Sequence, residues 1–184
     1  MKNQDEFRFA LGKYTTGVTI VTCNGKNGPI GITANSFSSL SLSPPLVLWS
    51  PAKASKRHDT FLKAEKFIIH IAGEHQIELC KSFSKSADGG SEMNWNFNDE
   101  GEAFIKNCSA RFECAKYSHF DGGDHSIIVG EVKKFETTDN KPLVYWGGQL
   151  PKTLIFDEIQ KYEDNKILNN FLFLYHQTFL FDLF

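Results

Sequence analysis

The feature that most restricts the fold of this chain is a series of short β-branched and apolar runs, each closed within a few residues by a turn signal. Residues 18–23 (VTIVTC), 46–49 (LVLW), 67–71 (FIIHI), 125–135 and 142–146 carry side chains that suit a pleated, half-buried surface. Asn24-Gly25-Lys26-Asn27-Gly28-Pro29 follows the first run, and Asn-Gly is a strong hairpin signal, so residues 30–37 are expected to return as its partner. In residues 110–115, Ala110, Phe112 and Cys114 alternate with Arg111, Glu113 and Ala115, the pattern of a half-buried strand. Pro44-Pro45 and Asp121-Gly122-Gly123-Asp124 punctuate the chain further. Gly130, midway along 125–135, predicts a bulge or bend. Helical spacing is confined to three segments. In residues 5–14, Phe7, Ala10, Leu11 and Tyr14 share a face, with Asn3 and Glu6 at capping-box spacing. Residues 55–64 turn Phe61 and Leu62 inward, and 74–83 carry a stripe of Ile77, Leu79, Cys80 and Phe83. Strand follows strand without βαβ alternation. The fold class is therefore mainly β, a closed or sandwiched antiparallel structure with peripheral helices.

At 184 residues the chain suits one domain with a sizeable core. A net charge of −2 argues against a nucleic-acid partner, which favours a basic domain or stripe. Cys23, Cys80, Cys108 and Cys114 form no C-x-x-C pair and sit in apolar or strand-like contexts. The first residues lack the apolar core of a signal peptide, so the expectation is a cytoplasmic protein with reduced, buried thiols. The apolar tail 167–184 is interrupted by Asn169, Asn170, His176, Gln177 and Asp182 and does not read as a membrane span. Residues 85–102 are polar and read as a loop anchored by Trp95 and Phe97.

Residues 31–61 hold the clearest candidate for a site. Thr33, Ala34, Asn35 and Ser36 are poor strand formers where a strand is expected. Such local violations mark either a functional site or an exposed edge. One short apolar run later, Ser50, Lys53, Ser55, Lys56, Arg57 and Thr60 precede and open a helix. Taken alone they suit first an N-cap followed by solvated charge, and second an anion at a helix N-terminus. His125 stands after a turn, beside Asp124; with His119 and Asp121 they match no metal-ligand spacing. No nucleophile signature, GxGxxG or phosphate loop is present, so any chemistry would be carried by a bound cofactor.

Four motifs stand in order: Phe7-Arg-x-Ala-Leu-Gly-x-Tyr14-x-x-Gly17-Val-Thr-Ile-Val-Thr22, Gly31-x-Thr-Ala-Asn-Ser-Phe-x-Ser-Leu-Ser-Leu-x-Pro-Pro-Leu-Val47, Gly123-Asp-His125-x-Ile-x-x-Gly130-Glu-Val132, and Pro142-Leu-Val-Tyr145. Together they resemble the flavin reductase family, the short NAD(P)H:flavin oxidoreductases that serve as reductase components of two-component monooxygenases. The resemblance covers about residues 5–150. It implies an antiparallel FMN-binding split β-barrel of Greek-key type with peripheral helices, usually a homodimer. It also implies hydride transfer from NAD(P)H to FMN or FAD, with the reduced flavin passed to an oxygenase component and no nucleic acid or membrane involved. The alternative is a protein of the same fold that holds flavin tightly for electron transfer with little NAD(P)H turnover. By the resemblance, Thr33, Ala34, Asn35 and Ser36 line the isoalloxazine and ribityl chain, flanked by Trp49, Ser50 and Pro51. Ser55, Lys56 or Arg57, and Thr60 hold the phosphate. Phe83 contributes from its own or the neighbouring subunit, and His125 faces the nicotinamide as the catalytic residue. Two departures stand out. Trp146-Gly-Gly-Gln-Leu150 replaces a Gly followed by an aromatic, and residues 151–184 have no counterpart; the apolar content of this extension suits packing at an oligomer interface first, with a docking segment for an oxygenase or an altered C-terminus as the alternatives.

Overall fold

A computed structural model of the chain describes residues 3–89 and 93–150. The expected C-terminal extension, 151–184, lies outside the described residues. Helix α1 (Gln4–Leu11) is capped by Asn3, whose side chain accepts from the Asp5 N–H at 3.0 Å. It ends earlier than the apolar spacing predicts, because Gly12 closes it with an N–H bond to Arg8 O at 2.9 Å. None of its residues is buried.

Then follow β1 (Thr16–Gly17), β2 (Thr19–Gly25), β3 (Gly28–Ala34), β4 (Ser38–Leu42) and β5 (Pro45–Trp49). Helix α2 (His58–Lys63) leads into β6 (Lys66–Ile71), a 3-10 turn (Glu74–Gln76) and α3 (Ile77–Lys85). A small hairpin of β7 (Asn96–Phe97) and β8 (Ala103–Phe104) precedes the long strands β9 (Ala110–Gly122) and β10 (His125–Thr137), and β11 (Val144–Tyr145) pairs with β1. The β2–β3 hairpin forms as expected, turning at Lys26-Asn27 with Gly28 at φ 115°. The ladder also slips at Gly130, between Val129 and Gly130, where a Cβ would come 2.5 Å from the Phe67 ring.

Seven strands pair antiparallel in the order β3-β2-β6-β9-β10-β5-β4. The two edge strands, β3 and β4, are consecutive in the chain and separated only by Asn35, Ser36 and Phe37. Laid flat, seven strands at ~4.8 Å spacing would put the edges ~29 Å apart. Four peptide steps span at most ~15 Å. The sheet therefore curls until its edges face each other, and no ladder joins β3 to β4 among the described residues. The seam between them is bridged by Asn35–Ser36–Phe37.

The core follows from the curl. Val21 and Cys23 of β2, Val47 and Trp49 of β5, Phe67 and Ile69 of β6, Cys114 of β9, Ile128 of β10 and Phe61 of α2 form one buried cluster. Ile20 faces the other way, joining Val18, Ala72, Cys80, Phe83, Ile105 and Leu143 under α3. β2 is thus covered on both faces, which is why its sequence is apolar or β-branched at successive positions. Its Thr22 hydroxyl is satisfied by donating to Ala103 O at 2.7 Å. All four cysteines are buried and unpaired. Burial pushes the Cys23, Cys80 and Cys114 thiols up to about 12. Among the described residues no helix is long and apolar enough to cross a membrane.

Candidate functional site

The seam organises the site. Ser36 Oγ accepts from the Ser50 N–H at 2.9 Å and donates to Ser50 O at 3.2 Å, tying the end of β3 to the end of β5. Residues 51–53 then run beside the start of β10. Ser126 N donates to Pro51 O at 3.1 Å, Lys53 N donates to Asp124 O at 2.8 Å, and Ala52 bridges His125. Lys53 also pairs its ammonium with Asp121. Asn35, Ser36, Ser50, Pro51 and His125 are thereby gathered into one neighbourhood from widely separated parts of the chain. The His125 side chain is 44% exposed, with Nδ1 2.7 Å from Asp124 Oδ1. That bond holds the Asp124 carboxyl below the usual carboxylate range. The carboxylate accepts a hydrogen bond from Nδ1–H, so Nε2 is the nitrogen left for a ligand.

Asn35, Ser36 and Phe37 also form one wall of an open cleft of about 1070 Å³, just above the usual range for small-molecule sites (~300–1,000 Å³). Its other walls are α1 with the turn after it, and the segment after β11. The Gly147 N–H donates to Gly12 O at 2.9 Å, and β1 pairs with β11, which fixes the two walls against each other. Arg8 and Lys13 bring positive charge to the cleft, and Tyr14 and Trp146 bring aromatic rings that are 77% and 53% exposed. His125 does not line this cleft; the Ser36–Ser50 tie and the 51–53 segment connect the two. Arg8, Lys13, Tyr14 and Trp146 carried no assignment in the sequence reading. Their signals were present: Arg8 and Tyr14 stand in the first motif, and Trp146 opens the loop that departs from the family pattern.

Several expected site residues carry structural work. The Trp49 indole is fully buried, edge-on to Phe61 with ring centroids 5.0 Å apart, and its Nε1–H has no partner. Any contact it makes with a ligand comes from its backbone. Phe83 is fully buried as well, edge-on to Trp95 at 5.7 Å and packed so closely under Gly31 that a Cβ there would lie 2.5 Å from the ring. Thr33 donates its hydroxyl to Cys80 O at 2.6 Å, docking β3 on α3. Arg57 was expected at a phosphate, but its guanidinium donates to the carbonyls of Phe83 (2.6 Å), Gly31 (3.1 Å), Ser86 (3.1 Å) and Ser84 (3.4 Å). Three of these are carbonyls at the C-terminus of α3, which a helix cannot satisfy internally, and the fourth, Gly31, belongs to β3. α2 is also shorter than expected, beginning at His58, so Ser55 is not its N-cap. The chain first makes tight turns, Ser55 N to Ala52 O at 3.0 Å and His58 N to Ser55 O at 3.0 Å, and Ser55 Oγ accepts from the Arg57 N–H at 3.2 Å. Lys56 is exposed beside that turn, and Thr60 is half-buried within α2.

The donor set fits a flavin and a nicotinamide nucleotide. Main-chain groups border an unpaired seam, small side chains line it, exposed aromatic rings stand across the cleft, and cations lie at its rim.

Comparison with known proteins agrees with this. Residues 11–153 match the family described as "Flavin reductase like domain". The chain is 48% identical over 147 residues to the FMN reductase (NADH) SmoA of Agrobacterium fabrum, covering 80% of this chain and 84% of that relative. It is 38% identical over 145 residues to the reductase component of the flavin-dependent trigonelline monooxygenase of Acinetobacter baylyi, covering 78% of this chain but only 47% of that longer protein. Among solved structures it is similar to the NADH:FAD oxidoreductase SgcE6 of Streptomyces globisporus in complex with NAD and FAD fragments, with a TM-score of 0.77 and 33% identity over 83% of this chain and 94% of that one. The chain belongs to the flavin reductase-like family.

Proposed function

We propose that this member of the flavin reductase-like family is an NADH:flavin oxidoreductase that reduces FMN and releases it to a separate oxygenase component. The observation that carries the reading is the convergence at the seam: Asn35 and Ser36, Ser50 and Pro51, and the Gly123-Asp124-His125 corner meet beside an open cleft with no protein nucleophile. The names of the relatives, FMN reductase (NADH) and reductase component of a monooxygenase, support turnover over tight flavin storage.

A bound flavin supplies the hydride-accepting chemistry. The chain supplies position and electrostatics. Main-chain groups at Thr33, Ala34, Asn35 and Ser36 border the ring and its side chain, where fixed dipoles are most useful to developing negative charge; the Thr33 and Ser36 hydroxyls hold that main chain in place through Cys80 and Ser50. Ser50 and Pro51 continue that wall. The exposed Lys56, with Ser55 and Thr60, is the candidate for the phosphate end, and Arg57 contributes by holding the turn that presents them. His125 orients the nicotinamide through Nε2, with Asp124 fixing its tautomer. The curled sheet with an unpaired seam is read as the split β-barrel of this family. α1 exposes Phe7, Phe9 and Leu11, a surface suited to a second copy in a homodimer. Four unpaired thiols suit a reducing, cytoplasmic setting.

The test is steady-state oxidation of NADH and NADPH with riboflavin, FMN and FAD in turn, together with the colour of the desalted protein. The expected result is FMN-dependent NADH oxidation by protein that loses its yellow colour on desalting. Protein that stays yellow and does not oxidise NADH would establish the electron-carrier reading instead.

A further inference from the structure

One buried titratable side chain has no part in the reading above. His58 opens α2 and is only 8% exposed. Its Nδ1 lies 2.9 Å from Asp59 Oδ1 and its Nε2 lies 2.9 Å from Ser126 Oγ. The exposed Asp59 carboxylate accepts from Nδ1–H, so in the neutral imidazole Nε2 accepts the Ser126 hydroxyl proton. The three side chains resemble a nucleophile relay in order only, because Ser126 is itself buried and does not line the cleft described above.

Ser126 follows His125, and neighbours on a strand point to opposite faces. Ser126 thus faces α2 while His125 faces away from it. Two main-chain bonds hold this corner to residues 51–53 at its backbone. The His58–Ser126 bond adds a side-chain tie to the helix that follows Ser55 and Lys56. We propose that His58 and Ser126 are positioning residues for His125: their buried hydrogen bond sets the height of the first turn of β10 against the 51–58 segment, and so aligns the nicotinamide-facing imidazole with the phosphate end of the flavin site.

The inference rests on the role given to His125 above, and a double-mutant cycle separates the two. The readout is the anaerobic rate of flavin reduction after rapid mixing of NADH with the full chain and FMN. Ser126→Ala is expected to lower that rate roughly 5- to 10-fold, since small misplacements of a reacting group are costly, while FMN affinity stays within about twofold. Ser126→Thr, which keeps the hydroxyl, restores the rate to within about twofold, and His58→Asn, which removes the tie from the other side, repeats the Ser126→Ala loss. In a His125→Ala background, Ser126→Ala changes the rate by less than about twofold, because residues acting as one unit are not additive. Losses that multiply in the double variant, or a Ser126→Ala rate equal to wild type, overturn the proposal alone. A His125→Ala chain that reduces flavin at the wild-type rate removes the His125 role and this proposal with it.

Discussion

Arg57 distinguishes a residue that holds the fold from one that holds a ligand, and the structure gives the size of the difference. Its Nη1 has two protons and three carbonyls within reach, those of Phe83, Gly31 and Ser86, and Nη2 reaches Ser84. At most three of these bonds are made fully at once. A hydrogen bond from a charged donor contributes about 1.5–3 kcal/mol, and a cation at a helix C-terminus about 0.3–2 kcal/mol. Partial exposure reduces both, and freed carbonyls regain some water. Arg57→Ala is therefore expected to cost about 3 kcal/mol, or ~6–12 °C in melting temperature for a domain of this size. Arg57→Lys recovers less than half, because a single ammonium cannot serve Gly31 and both sides of the helix end together. The assay is thermal and urea unfolding of protein stripped of flavin, followed by FMN and riboflavin titrations. A flavin-free melting temperature within ~2 °C of wild type, coupled with a loss of FMN affinity that riboflavin does not share, would refute the structural role and place the guanidinium on the phosphate.

Two further outcomes follow from the core. His70 is buried between Ile20 O, 2.8 Å from Nδ1, and the Ile105 N–H, 3.1 Å from Nε2, and burial lowers its pKa to about 4. The unfolded chain protonates this group near pH ~6.5 and the folded chain does not, so the stability it contributes is full above that pH. It is lost as pH falls toward about 4, at up to ~1.4 kcal/mol per unit; denaturant titrations at successive pH values should show this slope, flattened in His70→Gln. Gly130→Ala puts a Cβ 2.5 Å from Phe67 Cζ and 3.0 Å from Cys114 Cβ, both in the core, and should cost about 1–3 kcal/mol by urea unfolding, with Gly130→Ser no better.

The parts of the fold that were legible in the sequence are those with local causes. β-branched runs made strands, Asn-Gly and Gly-Gly sequences marked the hairpins, and Gly130 marked the bulge it makes. What escaped is set by distant partners. Arg57 looked like an anion ligand because its acceptors are backbone carbonyls 26 or more residues away, which no side-chain pattern announces. Trp49 and Phe83 looked available to a ligand because sequence alone does not tell which face of the curled sheet they occupy. The strand expected over residues 30–37 stops at Ala34, and the weak strand formers Asn35 and Ser36 have a topological meaning: there the chain crosses to the far edge of the sheet. Tyr14, just past the end of α1, was missed because helical spacing suggested that it is buried, whereas it is mostly exposed.

That crossing has a consequence for how the protein can change over time. On the function proposed above, a cradle bordered by main chain outside any strand ladder would identify its guest by the length and path of three residues more than by what their side chains are. Exchanges of one small residue for another at Asn35 should drift almost freely, Ser36 being held to a hydroxyl by its two bonds to Ser50, whereas adding or deleting a single residue between Ala34 and Ser38 would reset the gap between two whole strands. The tolerance of this segment is thus more metrical than chemical.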